Sequence, residues 1–223
     1  IKLWATGSGR LVATVQGHAG AVWGVALSGG GGLVASASQD GTVRLWETAG
    51  GRLLASLQGH TSGLRRVALS GDGTVVASGS YDGTVKLWET AGGRLLASLQ
   101  GDTGGIWGVA LSGGGGLVAS GSYDGTVKLW EAASGRLLAS LQGDTSGIWG
   151  VALSGDGGLV ASSSHDGTVK LWAAASGRLR ATLQAHSGVV WGVALSGDGE
   201  LLASASYDGT VKLWETTSGR LVA

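Results

Sequence analysis

The tripeptide Lys128-Leu129-Trp130 recurs along the chain and decides its fold. Six copies, with lysine or arginine at the first position, place their tryptophans at a constant spacing of 42 residues. These tryptophans are Trp4, Trp46, Trp88, Trp130, Trp172 and Trp214. A fixed repeat of this length indicates one supersecondary unit that buries its apolar face only by stacking on copies of itself. We therefore expect function on the surface that stacking creates.

Outward from this tripeptide, each repeat reads as four short strands. Apolar runs at 107–112 and 117–122 are separated by four glycines, which favour a tight hairpin. An Asp-Gly turn at 124–125 leads into a third strand at 126–131, and a fourth follows at 136–142. No stretch shows helical periodicity, so the predicted fold class is all-β.

Composition narrows the class of protein. The 223 residues suffice for one all-β domain, and zero net charge, from 15 basic and 15 acidic residues, argues against nucleic-acid and anionic-membrane partners. The absence of cysteine excludes disulfides and thiolate chemistry. No apolar run reaches the roughly 20 residues of a membrane span, and no segment reads as a signal peptide. An intracellular, cytoplasmic location is the expectation.

A longer pattern surrounds each tripeptide. In one unit, Gly-His at 59–60 precedes Val-Ala-Leu-Ser-Gly-Asp-Gly at 67–73 and a Ser-x-Ser-x-Asp-Gly-Thr-Val-Lys-Leu-Trp segment at 78–88. This pattern resembles the Gly-His and Trp-Asp signatures of the WD-repeat β-propeller family. The chain departs from that family after the tryptophan, where glutamate or alanine replaces aspartate.

The resemblance implies four-stranded antiparallel blades arranged radially around a central channel. A single propeller domain, 1–223, would hold five 42-residue repeats, and residues 1–16 would add the third and fourth strands of one more blade. The implied blades are about 21–58, 63–100, 105–142, 147–184 and 189–223. Three arrangements stay open: a closed five-blade ring with a redundant N-terminal hairpin, a ring completed by another chain, or a fragment of a larger propeller. An unclosed array exposes strand edges, so self-association is expected if one chain does not close the ring.

The resemblance also implies a polar network inside each blade. An indole N–H donates to a serine oxygen, the serine hydroxyl donates to an imidazole, and the second ring nitrogen donates to an aspartate. The implied members are His18, Ser38, Asp40 and Trp46; His60, Ser80, Asp82 and Trp88; Ser122, Asp124 and Trp130; Ser164, Asp166 and Trp172; and His186, Ser206, Asp208 and Trp214. Asp102 and Asp144 replace histidine in the two incomplete sets.

These residue types have two chemical interpretations besides a structural one. Serine, histidine and aspartate in contact also carry hydrolysis, but a set that recurs in register, with its hydroxyl engaged by tryptophan, favours a structural role. Asp102 would face Asp124, and Asp144 would face Asp166. Either the extra aspartates turn into solvent or one member of each pair binds a proton at raised pKa, and we expect the first because the loops are glycine-rich. A cation site is disfavoured, because two carboxylates fall short of the oxygen ligands that calcium takes. No catalytic residue, cofactor or metal is predicted.

Two further sets of residues are predicted to bind a partner. One stands five residues after each Gly-His position, and the other stands just before each turn aspartate. They are Trp23, Arg65, Trp107, Trp149 and Trp191, and Gln39, Tyr81, Tyr123, His165 and Tyr207. In WD-repeat proteins these positions line the top face around the channel mouth. Tryptophan, tyrosine and arginine are enriched at binding hot spots.

The residues themselves support this interpretation. A tryptophan in a strand of glycine, valine and alanine has few large neighbours, so burial of all four copies is not expected. The alternative is that the indoles pack between blades as ordinary core. In one unit Arg65-Arg66 replaces Trp-Gly, so the predicted top face is asymmetric although the blades are nearly identical. Arg65 is expected either to pair with an acidic ligand group or to stack on a neighbouring ring.

The leading hypothesis is a non-enzymatic scaffold or interaction module that binds a protein or peptide segment on this top face. One alternative is carbohydrate or small-ligand binding at the channel mouth. Another is an engineered or recently amplified repeat scaffold without a specific ligand. The last fits the close similarity of the copies, since 85–126 and 127–168 differ at only six positions.

Overall fold

The computed structural model describes residues 1–101, 104–142 and 146–223, and every regular element in them is a β-strand. No helix in these ranges is long and apolar enough to cross a membrane. The strands are β1 (Lys2–Trp4), β2 (Leu11–Thr14), β3 (Val22–Leu27), β4 (Leu33–Ser38), β5 (Thr42–Glu47), β6 (Leu53–Gln58), β7 (Leu64–Leu69), β8 (Val75–Ser80), β9 (Thr84–Glu89), β10 (Leu95–Gln100), β11 (Ile106–Leu111), β12 (Leu117–Ser122), β13 (Thr126–Glu131), β14 (Leu137–Gln142), β15 (Ile148–Leu153), β16 (Leu159–Ser164), β17 (Thr168–Ala173), β18 (Arg178–Gln184), β19 (Val190–Leu195), β20 (Leu201–Ser206) and β21 (Val211–Glu215).

The strands pair with their sequence neighbours in antiparallel sheets. Blades 1 to 4 are the four-stranded sheets β3–β6, β7–β10, β11–β14 and β15–β18. Blade 5 contains β19, β20 and β21, and Leu221 forms an isolated bridge with Trp214 where a fourth strand would begin. Strands β1 and β2 form a separate hairpin that precedes blade 1.

The hydrophobic core lies between neighbouring blades. Leu45 and Leu57 of blade 1 pack with Leu64 and Trp88 of blade 2, and equivalent clusters join the later blades. Full burial of a leucine side chain contributes about 1.5–3 kcal/mol. The β1–β2 hairpin covers the other side of blade 1 through Val15. The tryptophan of the repeated tripeptide is therefore a core residue from blade 1 onward.

Every blade carries a β-bulge in its first strand. In β11, Ile106 lies opposite Ser122 and Gly108 lies opposite Gly121, so Trp107 has no partner across the ladder. One extra residue inverts the alternation of side chains along a strand. Ile106 and Val109 can therefore both face the core, although they are three residues apart, and both are buried. The same shift occurs at Trp23, Arg65, Trp149 and Trp191.

A row of backbone hydrogen bonds joins the blades at the end opposite the bulges. Each N–H donates to the carbonyl of the equivalent glycine in the next blade, where the first and second strands meet. The pairs are Gly29 to Gly71 at 2.8 Å, Gly71 to Gly113 at 2.7 Å, Gly113 to Gly155 at 2.9 Å and Gly155 to Gly197 at 2.8 Å. This close approach leaves no room for a side chain, since a Cβ on Gly113 would lie 2.9 Å from the Gly155 oxygen.

The faces at the two ends of the five-blade array are exposed. Val211 in blade 5 is 68% exposed, whereas the equivalent Val169 is fully buried by the following blade. At the other end Val25 is 58% exposed, while the equivalent Val67 is 7% exposed. The first strands β3 and β19 do not pack on each other as the first strands of successive blades do. How a ring is completed stays a prediction.

The glycine row gives a test of the interblade packing. We expect Gly113→Ala to lower the free energy of unfolding by about 1–3 kcal/mol, because its Cβ overlaps a backbone oxygen that cannot move freely. Gly197→Ala is the matched control, since a Cβ there meets nothing within 4 Å. Urea unfolding of both variants measures the difference. Equal midpoints for the two variants would contradict the close approach.

Candidate functional site

A polar network ties the core tryptophan to the top of blade 1. The Trp46 indole N–H donates to Ser36 Oγ at 2.9 Å, and His18 Nε2 lies 2.7 Å from the same oxygen. His18 Nδ1 lies 3.0 Å from Asp40 Oδ2. Blades 2 and 5 repeat this arrangement through His60 and His186.

The serine in this network is not the predicted one. The hydroxyls that accept the indole N–H belong to Ser36, Ser78, Ser120, Ser162 and Ser204, two residues before the predicted Ser38, Ser80, Ser122, Ser164 and Ser206. The register explains the error. Trp46 lies opposite Val34, so Ser36, two residues beyond Val34, is its diagonal neighbour. Ser38 is four residues beyond Val34, or about 13 Å along the strand.

The predicted serines stabilise the next turn instead. Ser38 Oγ accepts the Asp40 N–H at 3.1 Å, and Ser80 and Ser206 do the same for Asp82 and Asp208. Ser122 and Ser164 accept from Asp124 and Asp166 at 3.3 and 3.4 Å. Their hydroxyls therefore fix the turn between the second and third strands.

Blades 3 and 4 lack the histidine of this network. Trp130 and Trp172 still donate to their serines, at 3.2 and 3.1 Å. The side chains of Asp124 and Asp166 accept from the N–H and hydroxyl of the threonine two residues later. Asp102 and Asp144 lie outside the described residues. Within the described ranges, no group of three or more His, Cys, Asp or Glu residues could hold a metal.

Electrostatics fix the protonation of the blade 2 network. Burial alone would raise the pKa of Asp82, but hydrogen bonds from the Thr84 side chain and from the backbone of Thr61 and Thr84 outweigh it and hold that pKa at about 2. Burial lowers the pKa of His60, so the imidazole is neutral at pH 7. Neutral His60 donates from Nδ1 to Asp82 and accepts the Ser78 hydroxyl at Nε2.

The five bulged residues lie next to one another in the region that the sequence analysis assigned to the channel mouth. We call Trp23, Arg65, Trp107, Trp149 and Trp191 the aromatic rim. The ring centroids of Trp107 and Trp149 are 4.2 Å apart, as are those of Trp149 and Trp191, in edge-to-face contact. The Arg65 guanidinium lies 4.3 Å from the Trp107 centroid and 5.9 Å from that of Trp23. Of the two roles expected for Arg65, the structure shows stacking on neighbouring rings.

The second predicted set flanks this rim. The Tyr81 hydroxyl accepts from Arg65 Nη1 at 2.9 Å, and the Tyr123 ring lies 4.8 Å from Trp107. His165 stacks on Trp149 at 6.2 Å, and Tyr207 lies 6.3 Å from Trp191. Gln39 is exposed at the equivalent turn of blade 1. The two tyrosines, His165 and Tyr207 therefore extend the rim into one continuous surface.

This surface lies outside the core. Trp23 and Trp191 are 48% and 38% exposed, and Tyr207 is 77% exposed. The clusters of buried residues in the described ranges contain none of the four rim indoles. The alternative that these rings are ordinary interblade core is therefore not supported. Within the rim, Trp149 Nε1 and Arg65 Nε are buried and have no hydrogen-bond partner.

Sequence reasoning missed the bulge that places the rim. The available signal was an apolar residue on each side of the tryptophan at odd separation, as in Ile106 and Val109, which simple alternation cannot bury together. The sequence-based prediction also assigned no separate role to Arg66, which follows the bulge in blade 2.

Known proteins share this sequence pattern and fold. Five windows match the family model described as WD domain, G-beta repeat, at residues 9–47, 51–89, 93–131, 135–173 and 177–215. The structure is similar to the crystal structure of the computationally designed Ika8 protein, with a TM-score of 0.83 and 32% sequence identity over 100% of this chain and 67% of that chain. No curated protein matches the sequence. The predicted all-β propeller fold is confirmed.

Removal of the corrected serine should destabilise blade 2. We expect Ser78→Ala to cost about 1–3 kcal/mol, because it leaves the Trp88 N–H and a His60 nitrogen buried without a partner. Ser98→Ala, at an exposed serine of the same blade, serves as the control. Urea unfolding followed by tryptophan fluorescence compares them. A Ser78→Ala midpoint equal to that of the control would refute the assignment.

Acid should destabilise blade 2 in two stages. The folded-state pKa values of His60 and Asp82 both lie below their ordinary values of about 6.5 and 3.9, so the unfolded chain binds more protons in acid. The unfolding free energy should therefore fall as the pH drops below about 6.5, and fall again below about 4. Urea midpoints from pH 7.5 to 3 measure both stages. His60→Asn should reduce the slope of the first stage, and an unchanged slope would contradict this account.

Proposed function

Because the chain belongs to the WD40 repeat family, we propose that it is a non-enzymatic interaction module that binds a protein or peptide segment across the aromatic rim. One observation carries the proposal, namely that five bulges deliver large side chains to one continuous, partly exposed surface. Bulges commonly re-aim side chains at functional surfaces. The bound segment would lie across the rim and the flanking tyrosines.

The chemistry of the rim supports a macromolecular partner. Stacked indoles bury a large area at low entropic cost, and a stacked guanidinium adds cation–π attraction. The unpaired donors Trp149 Nε1 and Arg65 Nε each carry a penalty of about 1–3 kcal/mol. Backbone carbonyls of an extended segment are the acceptors that would relieve this penalty after a small rotation of the rings.

The polar networks support a non-enzymatic role. The side chains of His60 and His186 are 0% exposed, and that of His18 is 4% exposed. The serine hydroxyl beside each histidine also accepts an indole N–H. Burial of the base and engagement of the hydroxyl both support a structural role for these three networks.

Two observations favour a competing function, a repeat scaffold without a specific ligand. The repeats are close copies of one another, and the fold is shared with a computationally designed protein. Repetition of a consensus unit can yield a stable array with no selected partner. An aromatic rim is compatible both with a peptide-binding module and with a scaffold that has no ligand, so a binding measurement is needed to distinguish them.

The test is selection of a random linear peptide library on the immobilised chain, followed by fluorescence-polarisation titration of the selected peptides. We expect the Trp107→Ala/Trp191→Ala variant to weaken binding at least about 30-fold, the effect of losing a hot spot of about 2 kcal/mol. The matched control is Leu96→Ala/Leu138→Ala, which removes two exposed apolar side chains from fourth strands. Urea midpoints verify that both variants fold.

Two outcomes would contradict the proposal. Equal affinity of the rim variant and the control variant would move the binding site away from the rim. Failure of the library to yield any binding peptide would favour the scaffold without a ligand. Binding to a glycan array, competed by free sugar, would favour the carbohydrate alternative.

A further inference from the structure

One residue breaks the pattern of the channel wall. The position after the bulge is glycine in four blades, at Gly24, Gly108, Gly150 and Gly192, and arginine in blade 2, at Arg66. The inner strands come close together at this level, since a Cβ on Gly108 would lie 3.0 Å from the Val151 nitrogen. Packing therefore favours glycine here and gives no reason for an arginine.

Arg66 lines a cavity between the inner strands of the five blades. The cavity has a volume of about 360 Å³, and glycine and valine residues of all five inner strands form its wall, with Trp23 beside them. Among the described lining residues, Arg66 is the only charged one. A cavity lined by small side chains and a single charged group can hold a ligand that the charged group orients.

The Arg66 charge has no anionic partner among the described residues. Its Nη1 donates to the Trp23 carbonyl at 3.3 Å, and no ion pair of the described ranges includes it. Burial, followed by the charge of Arg65, lowers the pKa of Arg66, but a guanidinium keeps its proton at pH 7. A half-buried charge without a counterion is destabilising, and a carboxylate would relieve that cost.

Arg65 does not compete for the same anion. Its guanidinium lies among the rings of Trp107, Trp149 and Trp23 and donates to the Tyr81 hydroxyl. Arg66 is therefore the cation that faces the cavity. A guanidinium matches a carboxylate in a two-pronged contact, and a peptide segment carries carboxylates without any modification.

We propose that Arg66 is an anion-binding residue at the channel mouth and that it receives a carboxylate of the bound segment. This inference rests on the proposed function, since it names the group that a partner on the aromatic rim inserts into the channel. The carboxylate comes from an aspartate or glutamate side chain or from the C-terminus of the segment.

The test uses the peptides that the full chain retains from the library. Each is titrated against the wild-type chain, Arg66→Gly and Arg66→Lys, together with its Glu→Gln or Asp→Asn analogue and its C-terminally amidated form. Arg66→Gly restores the residue of the other four blades, so it should fold with an equal or higher urea midpoint. The two kinds of analogue distinguish a side-chain carboxylate from a terminal one.

We expect neutralising one carboxylate of the peptide to weaken binding to the wild-type chain at least about 30-fold. The same change should alter binding to Arg66→Gly less than threefold, because the two losses are coupled. Arg66→Lys should retain part of the carboxylate preference.

Two results would overturn this inference. If rim-dependent peptides bind the wild-type chain and Arg66→Gly with equal affinity, or need no carboxylate, the inference is wrong while the proposed function stands. If the wild-type chain retains no peptide, the proposed function fails, and the inference fails with it.

Discussion

Each blade has an apolar face that only the next blade covers, and the rest of the structure depends on this constraint. Leu45 and Leu57 are buried because blade 2 lies over them, and Val211 is exposed because no blade follows it. The tryptophan of the repeated tripeptide contributes its ring to this interblade core. Its indole N–H must then find an acceptor inside the protein, and the serine, histidine and aspartate network supplies one.

The bulge in the first strand lets some residues pack in the core while the bulged residue faces the proposed binding surface. The blade needs Ile106 and Val109 on the same face, and a regular strand would place them on opposite faces. Insertion of one residue resolves the conflict and releases Trp107 from the ladder. The released side chain has no packing role inside the blade, so tryptophan and arginine are both accepted at this position. Arg65 in blade 2 is the one departure from tryptophan among the five bulge positions.

The fold could be predicted from the sequence because the 42-residue period of the repeats determines it. Repetition of Lys-Leu-Trp every 42 residues and the Asp-Gly turn gave the strand number and order that the structure shows. The network serine was placed two residues too late because its identity depends on cross-strand register, which local sequence does not specify. The position of Trp107 at the mouth came from the family resemblance. Its physical cause, the bulge, requires knowledge of which residues face each other across two strands.

The family windows are out of step with the blades, but both repeat every 42 residues, and this common period has a consequence for the gene. Each window, such as 93–131, joins the fourth strand of one blade to the first three strands of the next. A gene segment of 42 codons inserted or lost at any point therefore rejoins strands whose neighbours are nearly the same as before. The array can lengthen or shorten by unequal recombination without passing through an incomplete blade. Such growth keeps the rim in register while leaving each new copy free to change the single side chain that the bulge presents.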